Sequence, residues 1–267
     1  MPLTSIQTST TPAQKLMLKA EREVAYESPD HLHPWGTRQD NSINRRFNAK
    51  LYKLYPQGTF LKIMDLGCSG GGFIKNCLDD GCLAVGLEGS DFSKRWRRAE
   101  WRTIPEYLFT CDVTGEFELT IETNGPAKLL QFDIVTCWEM MEHIATPDLP
   151  RLAANITKHL MPDGLWIMSV SSRPDIINGV NLHQTVQPKS WWIAKFEELG
   201  LVHREEYVTY FNTQFVRGPK YFADGSFHLV VSRKDCKLPT IPNQGLLRWI
   251  YDRWLGSIPQ RFIAGGF

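Results

Sequence analysis

Four glycines within six residues interrupt an apolar run near position 65, where residues 65–72 read DLGCSGGG. Glycine tolerates backbone angles that other residues avoid, and it lets a ligand approach the main chain closely. Glu88 ends the next apolar run, and Asp112 ends the one after it. At this spacing the first carboxylate can accept hydrogen bonds from two ribose hydroxyls, and the second can meet the amino group of an adenine. The pattern predicts a nucleoside-binding turn.

A second group of reactive side chains follows a later apolar run, where residues 138–144 read WEMMEHI. A helical turn here would place Glu139, Glu142 and His143 on one face, because residues three and four apart are neighbours on a helix. Two carboxylates and an imidazole can hold a divalent cation. They can equally supply a general base to a hydroxyl group. His183 is a further candidate for this chemistry, and the residues leave both roles open.

Alternating strands and helices must position these groups. Strands are predicted over residues 61–66, 83–87, 107–113, 132–137 and 165–170, with helices at 73–80, 92–103, 148–160 and 188–199. Two later runs, 201–211 and 227–232, are predicted to form an antiparallel hairpin joined directly by a loop. The alternation predicts an α/β fold: a Rossmann-like, doubly wound, mainly parallel sheet of seven strands with an antiparallel edge hairpin.

The two ends of the chain lie outside this alternation. Residues 1–13 are rich in Thr, Ser and Pro and are predicted to form a tail, followed by helices at 14–26 and 42–55. We therefore divide the chain into an N-terminal tail with covering helices (1–58), a central domain (59–235) and a C-terminal amphipathic extension (236–267).

Two other interpretations of the glycine turn fit less well. A dinucleotide-binding turn requires glycine at the position that Ser69 occupies. The pattern Gly-x-Ser-x-Gly over residues 67–71 matches a hydrolase nucleophile elbow, but one predicted strand precedes it and such a sheet needs more.

Taken in order, these motifs resemble those of class I S-adenosylmethionine-dependent methyltransferases, over about residues 61–232. Asp65, Gly67 and Gly70 match the family's first motif, residues 132–139 match its fourth-strand segment, and residues 162–165 match the turn before its fifth strand. The resemblance implies S-adenosylmethionine as cofactor, a ribose-binding role for Glu88 and an adenine-binding role for Asp112. The cofactor site that it implies comprises Asp65, Gly67, Cys68, Gly70, Glu88, Asp112 and Trp138.

The Glu-x-x-Glu-His element is similar to that of ubiquinone-biosynthesis O-methyltransferases and small-RNA 2′-O-methyltransferases. This similarity implies Mg²⁺ held by Glu139, Glu142 and His143, with His143, Glu142 and His183 as catalytic residues. We therefore expect O-methylation of a small-molecule or sugar hydroxyl. The alternative is a catalytically silent methyltransferase-like protein that binds the cofactor or acts as a scaffold.

Composition and charge limit the classes of partner that the protein is expected to bind. Lys and Arg number 30 against 29 for Asp and Glu, a net charge of +1, which gives no general attraction to nucleic acid. The six cysteines form no CxxC pair, which favours a reducing, cytoplasmic location. No apolar run is long enough to span a bilayer. Leu246, Leu247, Ile250 and Trp254 recur at helical spacing, which predicts packing on the same domain or on a second subunit of a homo-oligomer; peripheral membrane contact is the alternative.

Overall fold

The computed structural model describes residues 5–11, 14–32, 41–56, 59–219 and 223–254. Its strands are β1 (Ser5–Thr11), β2 (Gln14–Ala20), β3 (Lys62–Leu66), β4 (Leu83–Glu88), β5 (Leu108–Thr110), β6 (Phe117–Glu122), β7 (Lys128–Leu129), β8 (Phe132–Trp138), β9 (Leu160–Ser171), β10 (Ile176–Ile177), β11 (Val180–Asn181), β12 (Leu201–His203) and β13 (Ser226–Arg233). Its α-helices are α1 (Pro29–Leu32), α2 (Arg45–Tyr52), α3 (Gly72–Asp79), α4 (Phe92–Arg95), α5 (Leu149–His159), α6 (Lys189–Glu198), α7 (Glu205–Phe211) and α8 (Leu246–Trp254).

Seven strands form the main sheet in the order β12-β13-β9-β8-β3-β4-β5. The five strands from β9 to β5 pair in parallel, and β13 pairs antiparallel with both β9 and β12. Every residue of β4 is buried, as expected of a parallel strand covered on both faces. The predicted fold class is confirmed.

Helices cover both faces of this sheet. Neighbouring residues of a strand point to opposite sides, so apolar strands give the sheet two apolar faces, and each face packs against helices. Trp166 of β9 packs with Trp192 and Phe196 of α6 on one face. The adjacent Ile167 packs on the other face, in a cluster with Phe47 of α2 and Phe211 of α7. Two hydrophobic cores result, and the sheet lies between them.

The N-terminal segment differs from the prediction. The expected tail contains β1, and the expected helix at 14–26 is β2 instead. Leu16, Leu18 and Ala20 are buried at every second position, which is the period of a strand. β2 pairs antiparallel with β1 and β6, and β6 pairs with β7, which forms a second sheet of four strands. The strands β6 and β7 were not predicted, and the three-part division of the chain remains a proposal.

Two further segments also differ. The expected helix at 92–103 is the single turn α4 followed by a 3₁₀ turn (Ala99–Arg102), because Arg97 and Ala99 adopt positive φ values of 46° and 47°. The expected strand at 201–211 ends at His203 and continues as α7, so a helix separates the two antiparallel strands.

The C-terminal helix α8 is attached to the domain by a buried ion pair. The Lys50 Nζ atom lies 2.9 Å from Oδ2 of Asp252, which is fully buried. Leu246 and Leu247 are 71% and 83% exposed. Packing on the same domain is therefore present, and the side chains of Arg248 and Trp254 lie outside the described part of the chain. None of the described helices has the length and apolar character needed to cross a membrane.

Candidate functional site

A cavity of about 810 Å³ opens at the carboxyl ends of β3, β4, β8 and β9. This edge is where ligands bind in open α/β sheets. Eight of the predicted site residues line the cavity: Gly67, Glu88, Asp112, Trp138, Glu139, Glu142, His143 and His183. The nucleoside-binding and acceptor-side groups predicted from separate motifs therefore share one cavity.

The glycine turn forms the floor of this cavity between β3 and α3. Gly67 has φ +69°, and a Cβ atom built on it would lie 3.0 Å from Cγ of Met140. Gly71, the N-cap residue that precedes α3, has φ +84°, in the left-handed region that favours glycine. Two of the four glycines are thus required by backbone conformation.

Glu88 lies against this turn at the end of β4. Its Oε2 atom accepts a hydrogen bond from the backbone N–H of Ser69 at 2.7 Å, and its Oε1 atom accepts one from Ser90 at 3.1 Å. Burial raises the pKa of Glu88 above its usual value, although the hydrogen bonds from Ser90 and Ser69 oppose this shift. A carboxylate can accept about four hydrogen bonds, so two positions remain for ligand hydroxyls.

Asp112 is more strongly engaged than the sequence suggests. Its Oδ2 atom lies 2.6 Å from Nε of Arg22, and its Oδ1 atom accepts hydrogen bonds from the backbone N–H and the hydroxyl of Thr114. Three of about four acceptor positions are therefore occupied within the protein. Asp112 lines the cavity and also holds the N-terminal segment through Arg22.

Three predicted cofactor-binding residues, Asp65, Cys68 and Gly70, are not among the residues that line the cavity. Asp65 is buried and accepts a hydrogen bond from the Thr136 hydroxyl at 2.6 Å. The Cys68 side chain packs against β4, where a Cβ atom at Gly86 would approach its sulfur to 2.6 Å. Gly70 does not line the cavity either. These residues shape the turn rather than its ligand-facing surface.

The comparisons with known proteins agree with this geometry. A family model described as a methyltransferase domain matches residues 37–215, which is more than half of the chain. The chain belongs to this methyltransferase family. The predicted class I S-adenosylmethionine-dependent family is thereby confirmed, and with it the enzyme class.

Relatives of this methyltransferase domain are distant. The chain is 28% identical over 116 residues to the ubiquinone biosynthesis O-methyltransferase of Neisseria meningitidis, which covers 42% of this chain and 44% of the relative. It is 26% identical over 131 residues to the small RNA 2′-O-methyltransferase of Mus musculus, covering 44% of this chain and 33% of the relative. The chain thus spans less than half the length of these curated relatives.

Solved structures share the fold. A Burkholderia thailandensis 1,6-didemethyltoxoflavin-N1-methyltransferase, solved with its acceptor and S-adenosylhomocysteine, superposes with a TM-score of 0.50 at 15% identity, covering 77% of this chain and 84% of that one. A methyltransferase from Clostridium acetobutylicum also gives a TM-score of 0.50, at 12% identity, covering 77% and 97%. At this identity the similarity establishes the fold alone.

The structure does not place Glu139, Glu142 and His143 on one helical face, as the sequence predicted. Glu139 has φ +52°, and a 3₁₀ turn (Met141–His143) follows it. The Glu139 carboxylate accepts a hydrogen bond from the Ser226 hydroxyl at 2.6 Å. Potential metal-ligand atoms of Glu142, His143 and His183 lie within 4.8 Å of one another. His183 therefore takes the place of Glu139 in the predicted cluster, because Glu139 precedes the turn in a left-handed conformation.

Glu142 is the most deeply buried member of this cluster. Its Oε1 atom accepts a hydrogen bond from the backbone N–H of Ser171 at 3.0 Å. Its Oε2 atom has no hydrogen-bond partner among the described residues. Burial and the charge of Glu139 raise the pKa of Glu142 to about 8. This buried oxygen is available to a proton, a ligand or a cation.

An oxygen atom of the protein lies close to Nδ1 of each imidazole in the cluster. The His143 Nδ1 atom lies 2.7 Å from Oδ2 of Asp30, and Nδ1 of His183 is in hydrogen-bonding contact with the backbone carbonyl of Arg173. Burial lowers the pKa of His143, but the negative charge of the nearby Asp30 outweighs it and raises that pKa to about 8. Burial lowers the pKa of His183. In His183, Nε2 is therefore the ring nitrogen that remains for chemistry in the cavity.

The segment that covers the cavity was not predicted from the sequence. We call residues 21–32 the N-terminal strap. Its backbone pairs with the loops after β4 and β5, through Ala25 N–H to the Gly89 carbonyl and Asp112 N–H to the Arg22 carbonyl. Arg22 and Asp30 of the strap line the cavity. In the sequence, a charged segment near two histidines is the only indication of these two residues.

Proposed function

We propose that this cavity binds S-adenosylmethionine and transfers its methyl group to a hydroxyl of a small molecule or sugar. The glycine turn and Glu88 would hold the adenosyl part, with the ribose hydroxyls donating to the carboxylate of Glu88. The acceptor would lie beside Glu142, His143 and His183. The observation that carries the proposal is the convergence of a nucleoside-binding turn and this cluster in one cavity.

Methyl transfer to an alcohol requires the protein to align the acceptor oxygen with the methyl group and to remove one proton from the hydroxyl. In the proposed reaction, the bond from the acceptor oxygen to the methyl carbon would form as the bond from sulfur to that carbon breaks. The hydroxyl proton would move to a neutral His143 ring, the form that predominates above a pH of about 8, and then to solvent, and S-adenosylhomocysteine would leave. The buried Glu142 and the ring of His183 would bound the acceptor position.

A divalent cation is the alternative use of the same residues. One carboxylate and two imidazoles suit a first-row transition ion better than Mg²⁺, which prefers oxygen ligands. Imidazoles whose second nitrogen is held by an oxygen atom are a common arrangement around metal ions. A cation would bind the acceptor oxygen and acidify its proton. It excludes the general-base role, because Nε2 of His143 cannot bind an ion and a proton together.

Isotope transfer tests the proposal. The protein is incubated with S-adenosylmethionine labelled in the methyl group and with panels of catechols, sugars and other hydroxyl compounds, and products are identified by mass spectrometry. We expect a labelled methyl ether, lost in His143→Gln and retained in the control His203→Gln, which lies on β12 and does not line the cavity. Activity that survives thorough chelation supports the base; activity restored by Mn²⁺ alone supports the cation.

Two outcomes would contradict the proposal. Labelled N-methyl or C-methyl products would show a different acceptor class. Tight cofactor binding without transfer to any pool would favour the silent, cofactor-binding alternative.

A further inference from the structure

The C-terminal helix α8 turns its apolar side away from the rest of the protein. Leu246 and Leu247 are largely exposed, and one turn further on Ile250 is 41% and Tyr251 is 37% exposed. We call these four residues the α8 apolar face. At 3.6 residues per turn, the mean direction of this face lies about 170° from that of Asp252, which is fully buried. An amphipathic helix that covers its own domain buries its apolar side, so the orientation of α8 is the reverse.

Polar contacts hold α8 in this orientation. The Asn212 side-chain amide donates a hydrogen bond to the Trp249 carbonyl at 3.2 Å. The Thr213 hydroxyl donates one to the Asp252 carbonyl at 2.6 Å. The carboxylate of Asp252 also forms the buried ion pair with Lys50. A rotation of α8 that turned its apolar side inward would break this ion pair inside the protein, which is strongly unfavourable. The outward direction of the α8 apolar face is therefore fixed by the fold.

Positive charge is concentrated in the C-terminal segment that carries this face. Residues 236–267 contain four cationic residues and one acidic residue, a net charge of +3 (4 − 1), so the first 235 residues carry −2 (1 − 3) of the total of +1. The neighbouring helix α2 adds three cationic residues and no acidic residue, and Nη2 of its Arg46 lies 3.1 Å from the Tyr251 hydroxyl. The cationic residues are Lys237, Arg248, Arg253 and Arg261 in the segment and Arg45, Arg46 and Lys50 on α2. An apolar helix face accompanied by cationic residues is typical of helices that bind anionic lipid surfaces.

A second copy of the chain fits this face less well. The nine residues of α8 give a helix about 14 Å long, whereas a stable dimer buries about 800 Å² on each partner. Two copies of α8 would also bring the same cationic residues together, and like charges across an interface oppose association. A lipid surface has neither disadvantage, because each apolar side chain enters it separately and each cation gains a phosphate group.

We propose that α8 binds the protein to the surface of an anionic phospholipid membrane. Leu246, Leu247 and Ile250 enter the boundary between headgroups and acyl chains, while Arg46 and Arg253 contact the phosphate groups of the headgroups. The helix lies on the membrane and does not span it. This proposal is independent of methyl transfer, because α8 lies outside residues 37–215, which match the methyltransferase domain.

Co-sedimentation of the full chain with phospholipid vesicles tests the proposal. The vesicles contain phosphatidylcholine alone or equal parts of phosphatidylcholine and phosphatidylglycerol. The double variant Leu246→Gln/Leu247→Gln removes two side chains of the α8 apolar face. Leu129→Gln/Ile176→Gln is the matched control, because it removes two exposed apolar side chains from β7 and β10. Arg253→Gln removes one cation of α8. Light scattering gives the oligomeric state of each protein, and circular dichroism shows that it is folded.

We expect the natural protein and the matched control to bind the anionic vesicles more tightly than the phosphatidylcholine vesicles, and to lose this preference in about 1 M salt. Leu246→Gln/Leu247→Gln should lower the affinity for anionic vesicles at least about 10-fold, and Arg253→Gln about fivefold, in folded protein. Equal binding by the natural protein and Leu246→Gln/Leu247→Gln, or no binding of the natural protein to anionic vesicles, overturns the proposal. A natural dimer that dissociates in Leu246→Gln/Leu247→Gln also overturns it and assigns the face to a second copy.

Discussion

At the scale of single residues, Glu88 is the site residue whose position follows most directly from the sequence. It ends a fully buried strand, so its carboxylate is placed at the cavity by the sheet itself. Two backbone N–H groups fix its orientation before any ligand binds. A preorganised acceptor of this kind loses little freedom on binding, which makes its hydrogen bonds to a ligand more favourable.

We predict that Glu88→Gln weakens S-adenosylmethionine binding by about 1.5–3 kcal/mol, the usual contribution of a hydrogen bond to a charged group. The amide retains an acceptor oxygen but loses the charge and one acceptor. Isothermal calorimetry measures the affinity, and the exposed Glu197→Gln is the control. An affinity equal to that of the natural protein would remove Glu88 from the cofactor site.

The residues that could be predicted are those whose position follows from local spacing. Glu88 ends a strand, and Glu142 and His143 follow one, so the sheet brings them to one edge whatever the rest of the chain does. Arg22 and Asp30 could not be found in this way, because their contacts depend on how a separate N-terminal segment crosses the cavity. Cys68 was assigned by its place in the motif, but its side chain turns toward Gly86.

At the scale of elements, the glycine turn joins backbone conformation to ligand access. Gly67 combines a φ of +69° with the close approach of Met140, so an added Cβ atom meets both a conformational and a steric cost. Gly81, after α3, has φ +87° with nothing within 4 Å of its added Cβ atom. A side chain at Gly81 would therefore meet the conformational cost alone, whereas one at Gly67 would meet both the conformational and the steric cost.

We predict that Gly81→Ala lowers the free energy of unfolding by about 1–2 kcal/mol, the conformational cost of a left-handed residue, and leaves cofactor affinity unchanged. Gly67→Ala should lower it further and also weaken cofactor binding, since the displaced Met140 lines the same cavity. Chemical denaturation and calorimetry measure the two effects. Equal behaviour of the two variants would show that the turn has room for a side chain.

The strands of the parallel sheet could be predicted from the sequence, whereas those at the N-terminus could not, because only the former leave a local pattern. The parallel strands are buried on both faces, so they appear as continuous apolar runs. In β2, by contrast, Lys15 and Lys19 alternate with Leu16 and Leu18 in a composition that also favours a helix. Its strand conformation depends on pairing with β6, more than 90 positions away, and no local pattern records that pairing.

At the scale of the whole molecule, the second sheet joins the main domain through a buried histidine on α5. His159 Nε2 accepts a hydrogen bond from the Leu119 N–H of β6 at 3.0 Å, and its Nδ1 contacts the Asn155 carbonyl at 2.8 Å. This pattern requires a neutral ring with the proton on Nδ1. Burial lowers the pKa of His159 to about 4. Because β2 of this sheet leads directly into the strap, the joint also supports the candidate site.

We predict that acid weakens this joint through His159. Its folded pKa lies below the unfolded value of about 6.5, so the unfolded state binds the proton first and stability falls as pH decreases from about 6.5 toward 4. The full pH dependence is a sum, since His228 also has its pKa lowered by burial to about 4, whereas burial raises that of Glu142. The informative quantity is therefore the difference between variants. Between pH 7 and 4.5, the free energy of unfolding of His159→Gln should fall by on the order of 2–3 kcal/mol less than that of the natural protein, as measured by denaturant titration.

His228→Gln is the control, because His228 lies outside the joint. It should reduce the acid-induced loss of stability similarly but leave hydrogen exchange in β6 unchanged. Identical pH slopes for the natural protein and His159→Gln would show that the joint does not depend on a neutral imidazole.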